Sequence, residues 1–217
     1  MTAAVKAVAL QHLGEYAEAF PPEFVIADGE LVTVVTRELR GAADDEFYVF
    51  HTVRVRDGRV VEEWSNSAPG SAPIGSGRPD PDHVPVPIGD GDVSRTTVTV
   101  TEFYRRVFDA HDAGAVADLV AEDYVQHAKH VPPGRAGLER FVRELFPDGP
   151  IPAPESPDTE PVILMGEGDR VVIAAGIPQP DGSGGTFIRY LFDAYRVTDG
   201  RLAEHWSGID ADNRPVH

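Results

Sequence analysis

Two side chains late in the chain have the types and the spacing for proton transfer. Asp193 and His205 flank the turn Thr198–Asp199–Gly200 within YLFDAYRVTDGRLAEHWSGID, residues 190–210. A three-residue hairpin loop, a type I turn whose glycine takes the left-handed position, pairs Val197 with Arg201. That register sets Asp193 opposite His205 and puts Ser207 on the same face. Phe192, Ala194, Arg196, Leu202, Glu204 and Trp206 then occupy the other face. A two-residue Asp–Gly turn would instead move Ser207 to the face opposite Asp193. A carboxylate beside an imidazole orients the ring and strengthens its hold on a proton, the usual construction of an acid/base near neutral pH. The structural alternative is a cross-strand ion pair worth about 0.2–1 kcal/mol to the sheet. A Ser–His–Asp hydrolase triad is disfavoured, because Ser207 lies inside a strand with no nucleophile-elbow motif around it.

The hairpin occurs twice. YVFHTVRVRDGRVVEEWSNSA, residues 48–68, repeats it, and Arg54–Ser65 matches Arg196–Ser207 at eight of twelve positions with a constant offset of 142. The same register sets His51 opposite Glu63, with Ser65 alongside, so the carboxylate and the imidazole exchange strands between the copies.

Composition narrows the function classes. The chain has 217 residues and a formal net charge of −17, and its Lys and Arg form no cluster. A nucleic-acid backbone or an anionic membrane is therefore a disfavoured partner. There is no cysteine, which removes disulfides, thiolate metal sites and cysteine nucleophiles together. The first twenty residues lack the apolar core of a signal peptide, and no run approaches the roughly 20 apolar residues of a membrane span. A cytoplasmic location is expected.

The elements that must carry these residues follow from periodicity. Residues 3–20 predict one amphipathic helix, with Val5, Val8, Ala9, Leu13, Tyr16 and Phe20 on one side and Leu10 at its flank. Strands are expected at Phe24–Ala27, Leu31–Leu39, Phe47–Arg56 and Arg59–Ser65. Residues 65–92, dense in Pro, Gly, Ser and Asp, read as a linker. Beyond it, Thr99 and Glu102 suggest a capping box opening a helix to about Ala110, with Phe103, Val107 and Phe108 inward. Asp112 caps a second helix at Ala113–Val120, Tyr124–His127 is a short extended piece, and a third helix covers Ala136–Phe146. Four strands complete the chain: Glu160–Met165, Arg170–Ala175, Thr186–Val197 and Arg201–Ser207. The class is α+β. The expected organisation is a truncated module at 1–68, a linker at 69–93 and a complete module at 94–217.

The segments FYRRVFDAHDAGAVADLVAEDYVQHAKHVPPGRAGLERFV and FDAYRVTDGRLAEHWS resemble the SnoaL-like polyketide cyclase family of the nuclear transport factor 2-like superfamily. The resemblance implies cone-like curved antiparallel sheets closed by helices around an apolar cavity, a small apolar ligand and no cofactor or metal. It places His127, of the YVQH phrase, at the cavity wall, and Tyr104 on the first helix is positioned to point a phenol inward. In characterised cyclases of the family an Asp after the hairpin Trp is the acid/base; Ser207 and Ser65 stand there in this chain. Asp193 and His205 are thus the expected proton-transferring residues, with His127, Tyr104 and Ser207 as ligand-binding ones. The spacing of Asp123, His127 and His130 fits no defined metal motif. Superfamily members often dimerise through their sheets, so the two modules are expected to form an intrachain pseudo-dimer, with a homodimer as a further option. The function implied is cofactor-independent acid/base chemistry on an apolar, carbonyl-bearing ligand. The alternative is a non-catalytic ligand-binding or assembly module of the same fold.

Overall fold

The computed structural model describes residues 2–68, 71–156 and 160–209. The start of the expected linker at 69–70 and the end of the second module at 210–217 lie outside the described residues. The fold is α+β. It divides into two compact units, one comprising residues 1–88, 174–192 and 208–217, the other 89–173 and 193–207. No helix among the described residues is long and apolar enough to cross a membrane.

In the first unit the expected single helix is two, α1 (Thr2–Leu13) and α2 (Glu15–Ala19), because Gly14 between them takes φ 50° and ψ −127°. Four antiparallel strands follow in chain order, β1 (Pro22–Asp28), β2 (Leu31–Arg40), β3 (Asp45–Arg56) and β4 (Arg59–Ser65). Val5, Val8, Leu10 and Leu13 of α1 pack on a core of Ala27, Val32, Val34, Val53 and Val55. Leu10 belongs to the packed face rather than its flank.

The Pro/Gly-rich segment is held against this sheet. Strand β1 stops with Pro22 opposite Thr36, which leaves the next stretch of the β2 edge without a partner. Leu39 and Arg78 fill that gap by exchanging backbone hydrogen bonds of 2.9 and 3.0 Å, and Val86 N donates to Glu23 O at 2.8 Å. The anchor is Glu38, whose surface is fully buried. Its Oε1 accepts from Gly75 N at 2.7 Å and Tyr16 Oη at 3.1 Å, and its Oε2 from Arg40 Nε at 3.0 Å and Gly77 N at 3.1 Å. Four donors satisfy a carboxylate that would otherwise be costly to bury. Gly77 is required by space, since a Cβ there would stand 2.8 Å from that of Glu38.

The first helix beyond the Pro/Gly-rich segment begins earlier than the capping-box signal suggests. Helix α3 (Val93–Phe103) is capped by Asp92, which accepts from Ser94 N and Arg95 N at 3.0 and 3.3 Å. The expected capping box at Thr99 is mid-helix instead; the Thr99 hydroxyl donates back to Arg95 O at 3.0 Å. A π-helical turn, Tyr104–Asp109, continues it. Asp112 caps a 3-10 turn at Ala113–Ala115 leading into α4 (Val116–Leu119). Then come β5 (Val120–Gln126), α5 (Gly134–Leu145), β6 (Ile163–Glu167), β7 (Arg170–Pro180), β8 (Thr186–Thr198) and β9 (Arg201–Ser207). The sheet has five strands, not four, in the order β5-β9-β8-β7-β6, with β5 parallel to β9. Val100, Phe103, Val107, Leu138 and Val142 from the helical segments meet Tyr124, Val171, Tyr195, Val197 and Leu202 from the strands in one core.

Glu38→Ala would leave two backbone amides and the Arg40 guanidinium facing an apolar void. The expected loss is about 3–5 kcal/mol in urea denaturation. Hydrogen exchange should quicken at Gly75 and Gly77 before it does in α3.

Candidate functional site

The geometry of the β8–β9 hairpin decides which side chains meet. Its turn has two residues, not three: Thr198 pairs with Arg201, and Asp199 and Gly200 both have positive φ, 53° and 74°. This is the Asp–Gly turn whose twist matches that of the flanking strands. Alone it would separate Asp193 from Ser207. A bulge cancels the change: Val197 pairs with Leu202 but Arg196 pairs with Glu204, leaving Ala203 as the extra residue. Asp193 therefore stands opposite Ser207, and His205 opposite Tyr195. The expected register is corrected by one pair, and Leu202 moves to the helix-facing core with Val197.

Asp193 and His205 are diagonal neighbours on that face. His205 Nε2 lies 3.0 Å from Asp193 Oδ1, while Tyr104 Oη donates to Asp193 Oδ2 at 2.9 Å. The Tyr195 and Tyr104 hydroxyls are 3.1 Å apart, so Tyr195 is placed to donate to Tyr104 in turn. On its far side His205 Nδ1 lies 2.8 Å from Gln126 Oε1, which also accepts from Ala128 N at 2.9 Å. A carbonyl oxygen only accepts, so Nδ1 carries a hydrogen. Nε2 is then the ring nitrogen that faces the Asp193 carboxylate. The Tyr195 ring stacks on His205 at 4.6 Å and 13°, which fixes the plane of the imidazole.

The surroundings are aromatic and largely dry. Burial pushes the Asp193 carboxyl up, but His205, with help from Ser207 and Tyr104, outweighs burial and holds it below the usual carboxylate range. Burial, reinforced by the Asp193 charge, raises the Tyr104 and Tyr124 hydroxyls well above the ordinary phenol value. Burial and the neighbouring Tyr104 do the same to Tyr195. All three phenols are thus hydrogen-bond donors at neutral pH. Asp193 keeps 21% of its side-chain surface accessible.

Of the expected residues, the structure brings Asp193, His205, Tyr104 and Ser207 together. It does not bring His127. Strand β5 pairs Gln126 with His205 and Val125 with Glu204, and alternation then turns His127 to the other face. There its Nε2 lies 2.8 Å from Glu204 Oε1, Arg196 Nε donates to Glu204 Oε2 at 2.8 Å, and its ring stacks on Trp206 at 5.0 Å. Burial raises the Glu204 carboxyl, and His127 and Arg196 together more than reverse this. Tyr195, Tyr124 and Gln126 were not among the expected residues. Reading Tyr124–His127 as a strand with its two-residue period would have put Gln126, not His127, beside His205.

The first hairpin repeats the arrangement in a more open setting. It too has a two-residue Asp–Gly turn and a bulge, and His51 stands opposite Ser65. His51 Nδ1 is 3.6 Å from Glu63 Oε1, and His12 Nε2 is 3.2 Å from Glu63 Oε2. His51 is the main cause that takes the Glu63 carboxyl down to about 2, against burial and with help from His12. The Glu63 side chain is 45% exposed against 21% for Asp193, while His51 and His205 are both buried, so the carboxylate of this pair is the more solvated one. Among the described residues no group of three His, Cys, Asp or Glu is arranged to hold a metal ion.

A search among curated proteins gives no match. Among solved structures, IdmH from Streptomyces antibioticus, provisionally assigned as a polyketide cyclase, is 24% identical with a TM-score of 0.34, over 52% of this chain and 89% of its own. TsrD from Streptomyces laurentii is 19% identical with a TM-score of 0.36, over 55% of this chain and 89% of its own. An NTF2-like protein from Burkholderia xenovorans is 15% identical with a TM-score of 0.40, over 56% of this chain and 94% of its own. The family model for the SnoaL-like domain matches the stretch that carries Tyr104, Gln126, Asp193 and His205: residues 100–205 of this chain are a SnoaL-like domain.

Proposed function

We propose that the second unit acts on a small, apolar, carbonyl-bearing molecule by acid/base chemistry without a cofactor, in the manner of a cyclase or isomerase. The observation that carries this is the 3.0 Å contact of His205 Nε2 with the Asp193 carboxylate among three phenols, with the Asp193 side chain still partly exposed. Asp193 takes a proton from the carbon next to the carbonyl, and His205, locked by Gln126 and Tyr195, returns one to the product. Tyr104 and Ser207 already donate to Asp193 and are the hydroxyls available to a carbonyl oxygen brought to the pair. The hydroxyls polarise the carbonyl oxygen and so ease loss of the neighbouring proton to Asp193, whose depressed pKa makes it a weak base that depends on this help. His127 has no part in this scheme, because it faces the other side of the sheet.

A second reading is a binding or assembly module, with the two hairpin modules paired as an intrachain pseudo-dimer. It is favoured by the saturation of Asp193, whose oxygens accept from His205, Tyr104 and Ser207, as those of a structural polar core would. Strand-terminal Ser207, in place of the family's Asp, supports it as well.

A bicyclic aryl ketone in D2O separates the two. The first reading expects the protein to accelerate exchange of the α-hydrogens, followed by NMR, and expects Asp193→Asn or His205→Ala to cut the rate by roughly 10²–10⁴. Binding of the ketone with exchange no faster than in buffer would establish the binding module instead.

The pH profile of exchange gives a finer check. The folded Asp193 carboxyl is depressed, so the ionised form, and the stability it confers, persists above the ordinary carboxylate value near ~4. Both are lost as pH falls through the lower folded value. Tyr104→Phe removes one of the donors that depress it, so the acid limb should move to higher pH. An unmoved limb would mean that Asp193 is not the titrating base.

A further inference from the structure

Positions 142 apart in sequence touch one another within the first unit. The rings of Phe50 and Phe192 stack with centroids 5.5 Å apart at 24°. Asn66 Nδ2 donates to Gly208 O at 2.7 Å, again across a separation of 142. When a residue meets its own equivalent, the contact lies on or near a twofold axis, since only points on the axis map to themselves.

The second of these contacts is asymmetric in a specific way. The Asn66 amide is buried; its Oδ1 accepts from Phe50 N at 3.0 Å and its Nδ2 donates to Tyr48 O at 3.0 Å as well as to Gly208. A Cβ on Gly208 would stand 2.8 Å from Asn66 Nδ2 and 3.1 Å from Asn66 Cβ and Cγ. Gly208 is not among the residues with positive φ, so space and not backbone conformation calls for glycine. Two asparagines facing each other across the axis would collide. Two glycines would leave Tyr48 O and Phe50 N without these side-chain partners in a buried place.

We propose that Asn66 and Gly208 form a complementary lock at a local twofold axis, so that each hairpin module selects the other as its partner and rejects a module of its own kind. This rests on the intrachain-pair reading above and is independent of the acid/base reading. The lock is a device of specificity: it penalises the like-with-like pairing that a symmetric sheet surface would otherwise allow.

A double-mutant cycle on the full chain, read by thermal unfolding, tests it. Gly208→Ala should lower Tm by roughly 3–8 °C in the natural background, where the new methyl meets the Asn66 amide. In an Asn66→Gly background the same substitution should cost almost nothing, because the clashing group is gone. The exchanged pair N66G/G208N should melt above G208N alone, since the asparagine is restored on the other side of the axis. Equal cost of Gly208→Ala in both backgrounds would overturn the lock, and this milder cycle decides the matter even if G208N does not fold. An exchanged pair no more stable than G208N would overturn the twofold relation. Neither result bears on ketone exchange, which reports on Asp193 and His205.

Discussion

Burying the Asp193 carboxylate imposes the order found around it. A charge withdrawn from water needs donors at close range, and each donor so placed needs a partner of its own. His205 and Tyr104 supply two of these bonds, at 3.0 and 2.9 Å. His205 in turn requires Gln126, which reaches it only because β5 lies parallel and adjacent to β9. Tyr104 requires Tyr195, which reaches it because alternation along β8 puts Tyr195 on the same face as Asp193. One anion thus ties together the end of α3, the edge strand and both arms of the hairpin, and a change at any of these should be felt at the carboxylate.

The two faces of the sheet use the same residue types to different ends. On the inner face an imidazole and a carboxylate sit among phenols within hydrogen-bond distance of each other. On the outer face His127 and Glu204 are joined by Arg196, a permanent cation, and the ring of His127 is clamped on Trp206. A carboxylate held by a guanidinium is neutralised whatever the protonation of the histidine, so that set suits a structural role. Glu63 in the first hairpin, bridged to His51 and His12 in a solvated setting, has lost the aromatic enclosure that makes the inner pair distinctive.

The hairpins, their shared face and the α+β class could be read from the sequence because they depend on local alternation and on the strong Asp–Gly turn signal. The register could not. A turn plus a bulge and a longer loop without one place Asp193 and His205 on the same face, and the bulged residues Ala203 and Val61 carry no compositional mark. Asp92 was hidden as a cap because it sits at the end of a Pro/Gly-rich run. That run reads as a free linker since its partners, Glu38 and Glu23, lie dozens of residues away and belong to no local pattern. The YVQH phrase placed His127 at the cavity wall, whereas the parallel pairing of β5 gives the inner position to Gln126.

The strand order carries a consequence for how this chain comes to be made. Strand β9 is the last among the described residues, yet it lies inside the sheet, between β5 and β8. As the chain leaves the ribosome, β5 emerges about eighty residues ahead of the neighbour it must pair with, and it has to wait with one edge open. Gln126 and Tyr104 are synthesised early but meet His205 and Asp193 only when β8 and β9 arrive. The Asp193–His205 pair therefore cannot assemble piecemeal. It forms in a late, long-range step of the kind that sets the pace for sheet proteins, so a chain stalled before that point has its helices but not the pair.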